Sequence, residues 1–417
     1  EHRVMPNGTE INVGFTYNSW CKTSDSGYPL HQGILALPYP GSDQMYVIIH
    51  HKDAETPGTD NDELLYSLVD MSADGGLGAV TLKNQLIYSQ HEFASNLTAV
   101  RHGNGRDWWI VDPKRESNRY FKFLLTPQGF SGPFIQDFGK QWTIYQGGNQ
   151  ACFSPDGSKY VRMAPYSTGC QIADFDRCTG ELSNPVNLSF PADTFFITGC
   201  AVSSNNRFLY LSARDKMWQF DLQASDISAS RVLLGEYDGY EAPVSTSFFQ
   251  CMLAPDGKIY MTAPNGVTVL HVVHNPNEKG LACNFEQHGV RLFSHHAFST
   301  PNFPHLRLRD LAGSPCDTLG INGSTVPVAV PQPSHLRLLP NPALAGGAVR
   351  VEAGDLFEPG DRLAVYSATG QYMEEGKLPL GQSHTEVGAG GLLPGVYWVV
   401  LRRASGAVQR GQLVVLR

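Results

Sequence analysis

Two stretches a hundred residues apart decide the fold: Ser154-Pro-Asp-Gly-Ser-Lys-Tyr160 and Ala254-Pro-Asp-Gly-Lys-Ile-Tyr260. Between them lies a looser copy, Ser203-Ser-Asn-Asn-Arg-Phe-Leu-Tyr210. His102-Gly-Asn-Gly-Arg-Asp-Trp-Trp109 and Pro40-Gly-Ser-Asp-Gln-Met-Tyr46 fit the same scheme upstream. The aromatic anchors Tyr46, Trp109, Tyr160, Tyr210 and Tyr260 are spaced by 63, 51, 50 and 50 residues. Each unit reads as an apolar strand (Ala151-Cys-Phe, Cys200-Ala-Val, Cys251-Met-Leu), a tight turn and an aromatic strand. Asp-Gly and Asn tolerate the positive φ that such a turn needs. A third strand (Gln171-Ile-Ala-Asp-Phe-Asp176, Met217-Trp-Gln-Phe-Asp221) and a fourth follow. Four strands in about fifty residues is the signature of a β-propeller blade. Leu64 to Val69 reads as a strand of the first blade, after a polar insertion near Lys52 to Asp62.

Composition agrees. The chain has 417 residues, 17% of them charged, with 42 glycines and 27 prolines spread along its length. That punctuation, with 21 Phe and 17 Tyr, suits many short strands and excludes collagen and low-complexity disorder. The formal net charge of −8 and the lack of a basic stripe argue against a nucleic-acid surface. No apolar run is long enough for a membrane-spanning helix.

The pattern divides the chain into three parts: a β-propeller over residues 1–310, a Pro/Gly/Ser/Thr linker over 311–333, and a small Ig-like β-sandwich over 334–417. Five anchors give at least five blades. Residues 1–30 and 302–309 read as pieces of a further blade, for about six or seven in all. The last part has no cysteine and carries 8 basic and 7 acidic residues; residues 1–333 carry 23 and 32, a net of −9. About seven strands are expected in it, ending in an exposed terminal hairpin whose edge a receptor could extend.

The tail resembles a known family. Leu339-Pro340-Asn341-Pro342-Ala343, the run through Tyr366 to Gly370-Gln371, Leu392-Leu-Pro394-Gly395-Val-Tyr397-Trp398 and a terminal Leu413-Val-Val-Leu-Arg417 look like a type A C-terminal sorting domain. Such domains belong to cargo of the type IX secretion system in Bacteroidota. Arg410-Gly-Gln412 stands where the family usually has a Lys. The propeller also resembles secreted proteins with this tail, through Met5-Pro-Asn-Gly8, Leu97-Thr-Ala-Val-Arg-His-Gly103, Phe175-Asp-Arg-Cys-Thr-Gly180 and Gly313-Ser-Pro-Cys-Asp-Thr-Leu319. The resemblance implies export through the periplasm to the outer-membrane surface or beyond, with secretion machinery as the partner of residues 334–417. It also implies an N-terminus that begins after a first blade. Asp317-Thr318-Leu319 resembles an O-glycosylation pattern, making Thr318 a candidate site.

No complete catalytic motif is found. There is no G-x-S-x-G, no P-loop and no dinucleotide-binding glycine pattern. His50-His51, His271-x-x-His274 and His295-His296 put their rings on opposite strand faces, so none is a ready chelate. The Ser154-Pro-Asp-Gly turn lacks a residue of the sialidase Asp-box and reads as structural. Asp107, Asp112, Asp174 and Asp176 could join a channel-facing acid set, while Asp176 and Asp221 read as blade-stabilising hydrogen-bond groups. Trp108 is expected in the core and Trp20 exposed. Cys200 and Cys251 fit buried thiols; for a disulfide, Cys170–Cys178 or a pair with Cys21 are the candidates. The expectation is a non-enzymatic exported propeller for adhesion, ligand binding or surface assembly, without metal or cofactor. The alternatives are a secreted propeller enzyme acting on polysaccharide and a repeating subunit of an extracellular filament.

Overall fold

A computed structural model describes residues 4–24, 27–52, 62–91, 93–94, 96–142, 150–164, 169–188, 190, 197–319, 336–353, 355–368, 371–388, 390–404 and 408–416. Its first unit, residues 1–322, is built on five four-stranded antiparallel sheets. They hold β1 (Ile34–Pro38) to β4 (Ala79–His91), with β2 (Met45–Lys52) and β3 (Asp62–Asp70) between; β5 (Thr98–Arg101), β6 (Trp108–Pro113), β7 (Arg119–Thr126) and β8 (Gly129–Asp137); β9 (Ala151–Phe153), β10 (Lys159–Ala164), β11 (Gly169–Phe175) and β12 (Leu182–Leu188); β13 (Ile197–Val202), β14 (Phe208–Ala213), β15 (Lys216–Asp221) and β16 (Val232–Glu236); and β17 (Cys251–Leu253), β18 (Ile259–Met261), β19 (Val267–Val273) and β20 (Phe285–His296). Strands follow chain order in each sheet, the meander of a propeller blade.

The repeated turn forms as its residues require. Ser154 Oγ donates to Asp156 Oδ1 at 2.5 Å and accepts from the Lys159 amide at 2.9 Å, while Gly157 takes φ +73°. In the looser copy Ser203 Oγ donates to Asn205 at 2.6 Å, the Phe208 amide donates to Ser203 Oγ at 2.8 Å, and Asn206 supplies the left-handed residue at φ +61°. Asparagine can replace glycine there because its short polar side chain tolerates that region.

Hydrogen bonding also corrects the alignment of the anchors. The amides of His102, Ser154 and Ser203 each bond the carbonyl five residues on (Asp107, Lys159, Phe208), which makes Trp108, Tyr160 and Leu209 the equivalent positions. These three pack against the preceding blade, whereas Trp109 and Tyr210, one residue further on, pack against the following one. A one-residue slip reverses the face of every side chain. Tyr46 in the first sheet is exposed and Tyr260 in the last is partly buried.

Four apolar clusters join successive blades, through Leu37, Trp108 and Phe121, through Val111, Tyr120 and Phe153, through Met163, Cys200 and Leu211, and through Phe208, Phe248 and Ile259. No such cluster joins the fifth sheet to the first among the described residues. Among their described residues, the segments expected to supply a further blade contain no strand: residues 17–24 are a π-helical turn run into a short α-helix, and 302–309 form an irregular strap. The strap follows the first strands. Asn302 Nδ2 donates to the Ile34 and Leu97 carbonyls at 3.0 and 2.8 Å. His305 bonds the Phe153 carbonyl, and the Arg177 guanidinium donates to the Arg309 and Arg101 carbonyls. Leu311 N donates to Gly103 O at 2.7 Å, and a Cys178–Cys316 disulfide spans 138 residues.

That disulfide replaces both expected pairings. The chain after Leu311 returns across the Asp176–Thr179 turn and brings Cys316 to Cys178, while Cys170 stays a buried thiol and Cys21 lies elsewhere. Residues 311–319, read as linker, are thereby tied to the propeller. The rest of that linker lies outside the described residues.

The second unit, residues 323–417, packs two sheets face to face. One is β21 (Arg337–Leu339), β23 (Ala348–Glu352) and β26 (His384–Gly388). The other runs β22 (Ala343–Leu344), β28 (Val408–Leu416), β27 (Gly395–Arg402), β24 (Arg362–Ser367), β25 (Tyr372–Gly376). Val349, Val351, Phe357, Leu363, Val365, Val399, Leu401 and Leu413 fill the space between them. Period-two alternation of buried and exposed residues along β27 and β28 is what one packed face requires.

Candidate functional site

A concavity of the propeller lies where the fifth and first sheets share no core. It is a cleft of about 580 Å³ lined by Asn12, Tyr17, Cys21, Tyr28, His31, His50, His296 and Asn302. A second hollow of about 440 Å³ shares Tyr28, Leu30 and His31 with it and adds Trp20 and Phe298. Residues 11–21 and 27–31, the start of β1, His50 of β2 and residues 296–302 build it, so most of its parts come from opposite ends of the propeller sequence.

Its electrostatics are uniform. No Asp or Glu is among the lining residues. Burial lowers the pKa of His31 and His296, and burial together with neighbouring His51 takes His50 down to about 4. Near pH 7 all three imidazoles are neutral and can both donate and accept a hydrogen bond. His50 is held by Asn12 Oδ1 at 2.5 Å and Ser67 Oγ at 3.1 Å, and Asn12 Nδ2 donates to His51 O at 2.6 Å. His31 packs on Phe249 and Phe298 at centroid distances of 5.3 and 5.5 Å. His296 Nε2 has no hydrogen-bond partner among the described residues. Half-exposed Trp20 and Phe298 add apolar surface. The arrangement can bind an uncharged, hydrogen-bonding ligand; it offers no carboxylate pair for acid–base hydrolysis.

Beside the cleft lies the channel lined by the first strands. Only a cavity of about 60 Å³ remains there, because side chains and the strap occupy it. Gln150 accepts from the Cys200 and Cys251 amides at 2.9 and 3.1 Å and donates to Cys251 O at 2.6 Å. Gln32 makes the same two-way contact with Ala151, at 2.7 and 3.0 Å. These carboxamides satisfy strand-edge groups that no further strand pairs. They lie outside the turn motif that marks each blade. Their signal is a Gln just before a first strand at 32, 150 and 250.

The sequence candidates separate. Asp107 is bound by Arg106 and Asn104 in a turn, Asp174 pairs with Lys159, and Asp176 accepts from the Cys178 and Thr179 amides. Asp221 takes Arg207 on both oxygens. Asp112 lies between the first two blades, 2.6 Å from His51 Nε2, and burial raises its pKa against the pull of His51. They do not converge. His51 and His50 do face opposite ways, and among the described residues no three His, Cys, Asp or Glu gather as a metal site. Trp108 and Trp142 are buried, and Trp20 is 50% exposed.

In the tail, Asn341 caps the outer edge of β28: its Nδ2 donates to Gln412 O at 2.6 Å and its Oδ1 accepts from Val414 N at 2.9 Å. Leu339–Pro340 and Asn341–Pro342 are cis and place Asn341 between them. Tyr397 is buried and donates to Leu393 O at 2.8 Å, bracing the turn of Pro394 and Gly395. Gln371 closes a turn with Ser367, Tyr366 lies on β24, and Gly370 falls outside the described residues. Thr318 is exposed. The last strand is not a free edge: residues 336, 341 and 343–345 cover its far side, and β25 is the outermost strand of that sheet.

No family model and no curated protein matches the chain. Among solved structures, a protein from Lactobacillus plantarum is 15% identical, covers 63% of this chain and 85% of its own, and has a TM-score of 0.37. A periplasmic gluconolactonase of Pseudomonas aeruginosa is 15% identical, with 64% and 70% covered and a TM-score of 0.37. A putative 6-phosphogluconolactonase from Bacteroides uniformis is 10% identical, with 63% and 86% covered and the same TM-score.

Proposed function

We propose that this is an exported, non-enzymatic β-propeller that binds an uncharged ligand in the cleft between its first and fifth sheets and is routed by its C-terminal sandwich. The observation that carries the binding reading is the lining of the cleft: neutral imidazoles, amides and aromatic rings, with no carboxylate. The Cys178–Cys316 disulfide supports an oxidising, extracytoplasmic location. The sorting-domain resemblance of residues 334–417 supports delivery by type IX secretion to the cell surface or medium, with modification of Thr318 on the exposed segment that follows the disulfide. A polysaccharide hydrolase finds less support, because the acids of the propeller are dispersed in turns and ion pairs.

The test is a glycan and small-polyol binding screen on the full chain, repeated with His296→Ala and Trp20→Ala. Loss of a saturable ligand in both variants supports the reading. Turnover of a glycan by the wild type refutes it.

A further inference from the structure

The tail has a second surface that its core does not use. Along β24, β27 and β28 alternate residues point away from the three-stranded sheet. Register aligns them into rows: Tyr366 beside Trp398, Ala364 beside Val400 and Arg410, Arg362 beside Arg402 and Val408. Trp398 is 40% and Val408 37% exposed, and a shallow depression of about 350 Å³ lies among Tyr366, Trp398, Val400, Arg402, Val408 and Arg410. Arg362, Arg402 and Arg410 form no ion pair among the described residues. In contrast, Arg403, one residue from Arg402 and on the opposite face, is locked to Asp361 at 2.9 Å.

We propose that this face is where the tail docks, and that its partner is a protein surface with an apolar centre and acidic groups around it. The inference rests on the reading of the tail as a routing module. Trp, Tyr and Arg around a flat apolar centre are the residues that dominate protein interfaces. Three exposed guanidinium groups with no ion pair among the described residues favour negative charge opposite them. Two copies meeting face to face would bring six of them together, and that like-charge cost disfavours a symmetric dimer here. A sugar chain is disfavoured because the neighbouring Tyr366 and Tyr372 rings stand at 76° with centroids 6.0 Å apart, edge against face, and give no coplanar stacking platform. The branched valines fit aliphatic side chains instead.

Two arms test it with the full chain. In the first, the immobilised protein is offered a glutamate–tyrosine copolymer, polyglutamate and polygalacturonate at about 150 mM salt. The copolymer should bind best, and Arg402→Glu/Arg410→Glu or Trp398→Ala should each weaken it by about tenfold or more, at unchanged melting temperature. Arg350→Glu, on the other sheet, should leave binding intact. Preference for polygalacturonate would overturn the proposal in favour of a glycan site. In the second arm, export from native cells is followed for the same variants and for a chain lacking residues 334–417. Loss in both supports the proposal. Loss only on deletion keeps the tail as a routing module and overturns this face as its docking surface. Normal export on deletion overturns both.

Discussion

The propeller and the sandwich solve the same problem, a sheet with unpaired edges, by different means. In the propeller, the first strands face a channel where no strand can be added, and carboxamides from Gln32 and Gln150 and the strap through Asn302 bond their edges. In the sandwich, the chain preceding β23 turns back along β28, with Asn341 imitating a paired residue. The propeller thus buries polar groups and histidines in quantity, whereas the sandwich keeps an almost wholly aliphatic core with one enclosed ion pair. Buried polar networks impose a single geometry but are costly when one member is lost. An aliphatic core is more forgiving of substitution, provided volume and patterning are kept.

The largest expected break of this comparison is Trp108→Ala. Trp108 is fully buried between the first two blades and donates to Pro38 O at 3.1 Å, so its removal should cost about 3–5 kcal/mol. Calorimetry should show the propeller transition falling while the sandwich transition stays in place; a shift of both would mean the units are not energetically separate.

Acid should come next. His50 and His271 are buried, with pKa values of about 4, from burial first and, for His50, the neighbouring His51. Their folded pKa lies below the unfolded value, so the unfolded chain binds more protons between pH 6.5 and 4. Stability is complete above pH 6.5 and declines as pH falls towards 4, by up to about 3 kcal/mol for each ring. The sandwich has no buried histidine among its described residues. Melting at pH 7 and pH 4.5 should therefore lower the propeller transition more, and His50→Gln should flatten part of that slope.

A smaller effect follows from Cys178→Ser/Cys316→Ser. The cross-link closes a long loop, and its loss should cost about 2–4 kcal/mol. The sharper readout is proteolysis, which should newly cleave within residues 306–319 while sparing blades two to four. The smallest effect is expected from Arg402→Glu/Arg410→Glu, two exposed positions with no ion pair among the described residues, which should change stability by no more than about 0.5 kcal/mol. A larger loss would mark that face as structural.

The fold was legible because turn chemistry is local. Ser154-Pro-Asp-Gly and its copies dictate a hydrogen-bonded turn whatever surrounds them, and their period counts the blades. The facing of the aromatic anchors was less legible: Ser203 to Tyr210 holds one more residue than Ser154 to Tyr160, and strand orientation changes with one residue. The cleft was nearly invisible. Most of its residues come from either end of the propeller sequence, before β1 and after β20, apart in the chain and outside the repeat, and His296 gains meaning only beside His50 and Asn302. The Cys178–Cys316 pairing was hidden for the same reason, since the path of residues 300–316 along the channel is set by contacts with three blades.

By itself, then, the sequence determined the class of structure, the spacing of the blades and the chemical separation of an acidic, cysteine-bearing body from a neutral tail. Those properties depend on residues close in the chain, whose φ preferences and alternation act before any distant contact forms. Tertiary structure alone decided which thiols pair, which histidines are stripped of charge, what fills the channel and which face of the tail exposes Arg362, Arg402 and Arg410. Each of these is a matter of burial and proximity between residues tens to hundreds of positions apart, and only the packed chain fixes them.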